Sequence, residues 1–192
     1  MATILESFDI DSPQLGKTFR IDLAEGLDSV HLDFMEAQWA PAIRRQYNLA
    51  ILQFFQLPAA DQTPEKWIET LGKLEVQDHH WKWRTKCSIA PGTKRRVFSL
   101  LNKSEVEAAM VLLSGETSRD PSAALPILYV DFVAVAPWSR RTFQNPLRFR
   151  HLGTVMLGAA VELSRTLGLD GRCGLHSLPQ SEGFYRRIGM RD

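Results

Sequence analysis

The residues best suited to chemistry cluster late in this chain. Arg148-Phe149-Arg150-His151-Leu152-Gly153 joins two apolar patterns. Before it stands the run Val130-Asp131-Phe132-Val133-Ala134-Val135-Ala136-Pro137. After it Leu152, Val155, Met156, Ala159, Ala160, Leu163 and Leu167 recur at helical spacing, with Gly168 as the stop. A buried strand leading through a basic turn into an amphipathic helix offers unpaired backbone N–H groups and a positive dipole end, which suit a pyrophosphate. Gly153 lets the backbone approach a ligand closely, and Arg140, Arg141, Arg148 and Arg150 supply fixed positive charge. Asp131, His176 and Tyr185 are the nearby groups able to exchange protons.

Asp131 also fits a strand residue that faces water or pairs with an arginine. His176 also fits a histidine satisfied by a backbone carbonyl, and Tyr185 a core aromatic with its hydroxyl at the rim. Phe184 and Ile188, four residues apart, supply the core face of a last helix, which turns Tyr185 toward a cleft. His79-His80-Trp81 reads as an exposed helix end, because adjacent histidines point to different sides and no third metal ligand is near. Neither a CxxC nor an HExxH spacing occurs, so no metal is expected.

The phosphate turn resembles that of the GNAT superfamily of N-acetyltransferases, which reads Gln/Arg-x-x-Gly-x-Gly/Ala after the fourth strand. Here it is Arg148 to Gly153, with His151 in place of the first glycine. Phe184-Tyr185-Arg186-Arg187-Ile188-Gly189-Met190 is similar to the family's Phe/Leu-Tyr-x-x-x-Gly-Phe ending. The resemblance spans about Val97 to Met190. The chain departs from the pattern at His151, in a long Pro137–Arg148 loop, and at Leu178, where the family often has asparagine.

The resemblance implies acetyl-CoA as acyl donor, an amine acceptor (small molecule or peptide) and a splayed, mixed central sheet. The edge around Phe132, Val133 and Val135 would bond the pantetheine arm. Backbone N–H groups of Arg150, His151, Leu152, Gly153 and Thr154, with Arg148 beside them, would hold the pyrophosphate. Only about one part in 2,500 of an alkylammonium with pKa ~10.4 is neutral at pH 7, so a base is needed. Asp131 stands where many family members carry it. The Val135 N–H would stabilise the oxyanion, and Tyr185 would protonate the leaving thiolate. A catalytically silent acyl-CoA-binding module is the alternative; it keeps the phosphate turn without needing Asp131 or Tyr185.

Elements must position these groups. Residues 3–10 and 18–23 read as strands, 32–55 as a long helix that Pro41 kinks or splits, and Thr63-Pro64 as a helix start running toward Trp83. After Pro91-Gly92, residues 96–101 and 106–113 form a hairpin. Pro126–Ala136 reads as a central strand, Arg172–Leu178 as a short strand and Pro179–Ile188 as a helix. The fold class is therefore α+β, or α/β layered. One domain is expected, with a mostly helical acceptor side at 1–94 and an acyl-CoA-binding core at 95–192.

A net charge of +1 over 192 residues disfavours nucleic-acid binding. Two cysteines, no secretory leader and no long apolar run point to a cytoplasmic protein with reduced thiols. The family fold normally adds two strands beyond the Tyr-x-x-x-Gly helix, and the sequence ends at Met190-Arg191-Asp192. The strand over 172–178 is therefore expected to have a bare edge, open or paired in a homodimer.

Overall fold

This computed structural model describes residues 2–88, 94–118 and 124–190. The Pro91-Gly92 boundary and the terminal Arg191-Asp192 lie outside them. Six strands form one sheet in chain order: β1 (Thr3–Ser12), β2 (Lys17–Glu25), β3 (Arg95–Asn102), β4 (Glu105–Thr117), β5 (Pro126–Val135) and β6 (Cys173–Leu175). All neighbours are antiparallel except β5 and β6, which are parallel. The α+β class follows from this sheet and the helices on its two faces. Among the described residues, no helix is long and apolar enough to cross a membrane.

Alternation sorts side chains to the two faces. On one face Leu100, Met110, Leu128 and Val130 pack against α5 (Leu152–Thr166), through Leu152 and Met156. On the other, Val97, Ala109, Val111 and Ala134 meet α1 (Ser29–Phe34), α2 (Ala40–Phe55), α3 (Pro64–Lys73) and α4 (Trp83–Cys87), with Trp39 and Trp83 fully buried. The expected 32–55 helix is one continuous coil with a wide turn, Met35–Trp39, where the Ala40 N–H reaches back five residues to the Met35 carbonyl. Pro41 follows immediately. Its ring would clash with a normally placed carbonyl four residues back, and the wide turn relieves that clash.

Thr63 caps α3 through a bond from the Lys66 N–H, as its sequence suggests. The helix stops at Lys73 rather than running on toward Trp83, because Glu75 takes a left-handed φ of 54°. The last strand is also shorter than expected, three residues instead of seven. Its far edge carries no strand among the described residues, since the β1–β2 hairpin lies at the opposite side of the sheet.

One buried ion pair joins the helical face to the carboxyl end of β5. Arg140 forms a two-pronged bond to Asp78 (2.9 and 2.6 Å), and it also donates to the Glu75 carbonyl at 3.0 Å and the Val135 carbonyl at 3.1 Å. Both side chains are nearly inaccessible. Removing one partner strands the other charge, so Asp78→Ala should cost about 3–5 kcal/mol in urea denaturation. A variant with the wild-type midpoint would show the pair to be dispensable.

Candidate active site

β5 and β6 pair only at Leu128↔Cys173, Tyr129↔Gly174 and Val130↔Leu175. Beyond Val130, β5 continues to Val135 with β4 on one side and, among the described residues, no strand on the other. Asp131 marks the divergence. It is an extra residue between the Val130↔Leu112 and Phe132↔Val111 pairs, a bulge that bends the strand. The Ala136 N–H donates to the Glu107 carbonyl at 2.8 Å, next to the Val135↔Ala108 pair. That pattern makes Val135↔Ala108 a non-hydrogen-bonded pair, so the N–H and C=O of Val135 point away from β4, into the gap. Register is unbroken from Phe132 to Val135, and Val133 faces the gap in the same way.

The gap leads to the start of α5. His151, which replaces the glycine of the resembled turn, holds φ 62°, ψ 5°, a left-handed conformation. That conformation costs an ordinary residue roughly 1–2 kcal/mol. The N–H groups of His151, Leu152, Gly153 and Thr154 meet no protein acceptor among the described residues, whereas that of Arg150 reaches the Asp11 carbonyl at 3.4 Å. Gly153 has a structural reason of its own. A Cβ there would lie 3.1 Å from Cζ of Phe184, on α6 (Glu182–Arg187).

The four arginines do not act as one cationic patch. Arg140 is committed to Asp78, and Arg148 is bonded to Glu105 and lies 3.4 Å from Glu107; Arg141 and Arg150 are exposed. Sequence reasoning overlooked Glu107, whose signal is a lone acid inside the apolar run Val106–Leu113. It is an extra residue in β4 opposite β3, and its side chain is fully buried. Oε2 accepts from Trp138 Nε1 at 2.6 Å, while Oε1 has no aligned donor. Burial pushes its pKa up to about 7, against the opposing pull of the Trp138 bond and Arg148.

Asp131 is ion-paired with Arg95, so the carboxylate expected to act as base already has a partner. His176 accepts or donates at Nδ1 to the Tyr129 hydroxyl, where β5 and β6 part. Tyr185 is half-buried against the α5 face, and burial pushes its phenol up to about 12. The two faces of α6 differ from the expected ones. Ile188 is 38% exposed, while Phe184 and Tyr185 touch the same core. His79 belongs to a turn rather than a helix end. Its Nδ1 bonds the Val76 carbonyl at 3.0 Å and its ring stacks on Tyr47.

Gln77 and Gln180 exchange bonds of 2.8 and 2.9 Å, each side-chain oxygen accepting from the other's backbone N–H. They clasp the turn after α3 to the turn before α6. Two cavities lie elsewhere. One of about 540 Å³ runs between α2 and α3, lined by Tyr47, Phe54 and Trp67. One of about 460 Å³ lies between the β1–β2 hairpin and α5, at Phe8, Phe98 and Gly158.

No protein-family model matches this chain, and no curated protein matches it. Among solved structures it is similar to a predicted acetyltransferase with acetyl-CoA from Clostridium acetobutylicum, at 12% identity over 90% of each chain and a TM-score of 0.45. It is also similar to a GCN5-related N-acetyltransferase from Ralstonia eutropha JMP134, at 16% identity over 90% of this chain and 93% of that one (TM-score 0.47). A transcriptional regulator from Bacillus halodurans C-125 gives 11% identity over 89% and 93% (TM-score 0.49). These are likenesses of shape and lend no residue a role.

Two stability measurements check the unusual residues. Glu107 has a folded pKa above its ordinary 4.5, so it destabilises the fold increasingly as pH rises from about 4.5 to about 7. Glu107→Gln keeps an acceptor for Trp138 and should remove that decline, a gain of up to about 3 kcal/mol at pH 8 and little at pH 4. Parallel pH profiles for variant and wild type would contradict the assignment. His151→Gly should raise stability by about 1 kcal/mol in thermal unfolding, because glycine adopts φ 62° without strain. A loss instead would mean that the imidazole makes a compensating contact.

Proposed function

We propose that this chain is an N-acyltransferase that moves an acetyl or similar acyl group from acyl-CoA to an amine. The observation that carries this reading is the open edge of β5 beyond Val130, whose Val133 and Val135 share a core with Leu152 in the uncapped first turn of α5. A pantetheine arm presents amides at intervals that can bond Val133 and Val135, and the α5 turn offers four N–H groups to a pyrophosphate. The residues present therefore fit the donor. His151 in its left-handed conformation shapes that turn as glycine would.

For the chemistry, His176 is the better base of the two candidates. Asp131 is held by Arg95, whereas His176 is oriented by Tyr129 and its Nε2 has no protein partner among the described residues. His176 takes the proton from the ammonium, and the neutral nitrogen attacks the thioester carbonyl carbon. The Val135 N–H, pointing into the gap, stabilises the oxygen that becomes negative. As the C–S bond breaks, Tyr185 gives its proton to the sulfur, and the surplus proton on the newly bonded nitrogen passes to the Tyr185 oxygen, leaving a neutral amide and restoring the phenol. A phenol held near 12 is fully protonated at neutral pH, as that role requires. The ion-paired Asp131 favours a second reading, a module that binds acyl-CoA without turnover.

Thr154→Pro separates fold from binding. It deletes one N–H that has no protein acceptor, at an exposed first-turn position that tolerates proline. Folding should be retained, while calorimetry should show 1:1 acetyl-CoA binding weakened about tenfold or more. Undiminished affinity would remove the pyrophosphate from this turn. In a thiol-release assay over a panel of amines, His176→Gln and Tyr185→Phe should each lower kcat by roughly 10²–10⁴-fold with acetyl-CoA affinity kept. Binding without thiol release for any amine would favour the silent module.

A further inference from the structure

The face of β5 toward α4 carries more positive charge than the protein itself neutralises. Arg95 lies two strands from Tyr129 through the Arg95↔Leu113↔Tyr129 pairs, on the face that holds Val97 and Phe132. Lys86, on α4, places its ammonium 3.2 Å from the centre of the Phe132 ring and 5.1 Å from that of Trp81. No carboxylate lies within ion-pair distance of Lys86 among the described residues. Asp131, the one acid it senses, is taken by Arg95. The Arg95 Nε is enclosed and meets no acceptor among the described residues. Two cations, one carboxylate and a buried donor without an acceptor thus surround the point where β5 leaves β6, next to the Tyr129–His176 pair.

A half-buried ammonium without a counterion costs free energy, which an incoming anion recovers. Phe132 and Trp81 border the same spot and offer an apolar wall to a carbon chain. We propose that the acceptor is an amine that also carries a carboxylate, bound by the Lys86 ammonium while its amino group reaches His176. This rests on the acyltransferase reading and narrows its substrate to amino acids, free or as the end of a longer molecule. A plain hydrophobic amine would leave the Lys86 charge unmatched and add a second positive charge beside it.

The test compares ω-amino acids from β-alanine to 6-aminohexanoate with n-alkylamines of equal chain length, using acetyl-CoA and reading thiol release. The best amino acid should exceed its matched alkylamine by at least about tenfold in kcat/KM, the worth of one charge-assisted bond. Lys86→Gln should reduce that ratio about tenfold, and Lys86→Arg should restore most of it. A ratio at or below one in the wild type overturns the inference and leaves the acyltransferase reading standing. If no amine is turned over, the acyltransferase reading fails, and calorimetry on the CoA-loaded protein decides the anion site alone. There, 6-aminohexanoate binding tighter than hexylamine, and lost in Lys86→Gln, supports the site, while equal or reversed affinities overturn it.

Discussion

The guanidinium of Arg140 is the point on which the described arrangement depends. It satisfies the Val135 carbonyl at the end of β5 and, with its other nitrogens, grips Asp78 and the Glu75 carbonyl in the turn after α3. A buried cation is tolerable only when its donors are matched, and here they are. The consequence is geometric. The turn that continues α3 is held against the strand end, and Gln77, one residue from Asp78, is thereby placed to clasp Gln180 beside α6. Helical face, strand edge and last helix meet through a chain of three polar contacts.

That chain matters because the gap between β5 and β6 has no backbone ladder to hold it open. Strands that diverge leave N–H and C=O groups unpaired, which is costly when they are buried. At Val135 the carbonyl is answered by Arg140, and the N–H is left facing the gap. Asp131 and Glu107 contribute in a related way. Each is an extra residue in its strand, and each extra residue changes the local twist. Charged side chains sit at both bulges, where the ladder is already interrupted. Arg95 and Arg148 are the cations that meet them.

The arginines illustrate how burial redistributes charge. Four basic residues in one stretch of loop read as a cationic rim, yet Arg140 and Arg148 turn inward to partners distant in sequence, Asp78 and Glu105. Lys86, on α4, has no carboxylate partner among the described residues, since Asp131 is taken by Arg95. Ion pairing between residues tens of positions apart is a property of the fold, and no local pattern encodes it.

Local patterns did determine a good deal. Thr63-Pro64 specified a helix start, because a side-chain acceptor followed by proline satisfies and tolerates the first-turn N–H groups. The apolar period of Leu152 to Leu167 specified α5, and the nearly continuous apolar run over 126–136 specified a strand covered on both faces. The resemblance placed His151 where the family has a glycine, and the structure adds that the backbone there is left-handed. Only the tertiary structure decided what depends on contacts across the sheet. It set the early divergence of β5 from β6, the ring of Phe184 that requires Gly153, and the burial of Glu107 beneath Trp138. Short-range periodicity reports which side of an element is apolar. It cannot report which partner arrives on that side, because the partner is brought there by the packing of the whole chain.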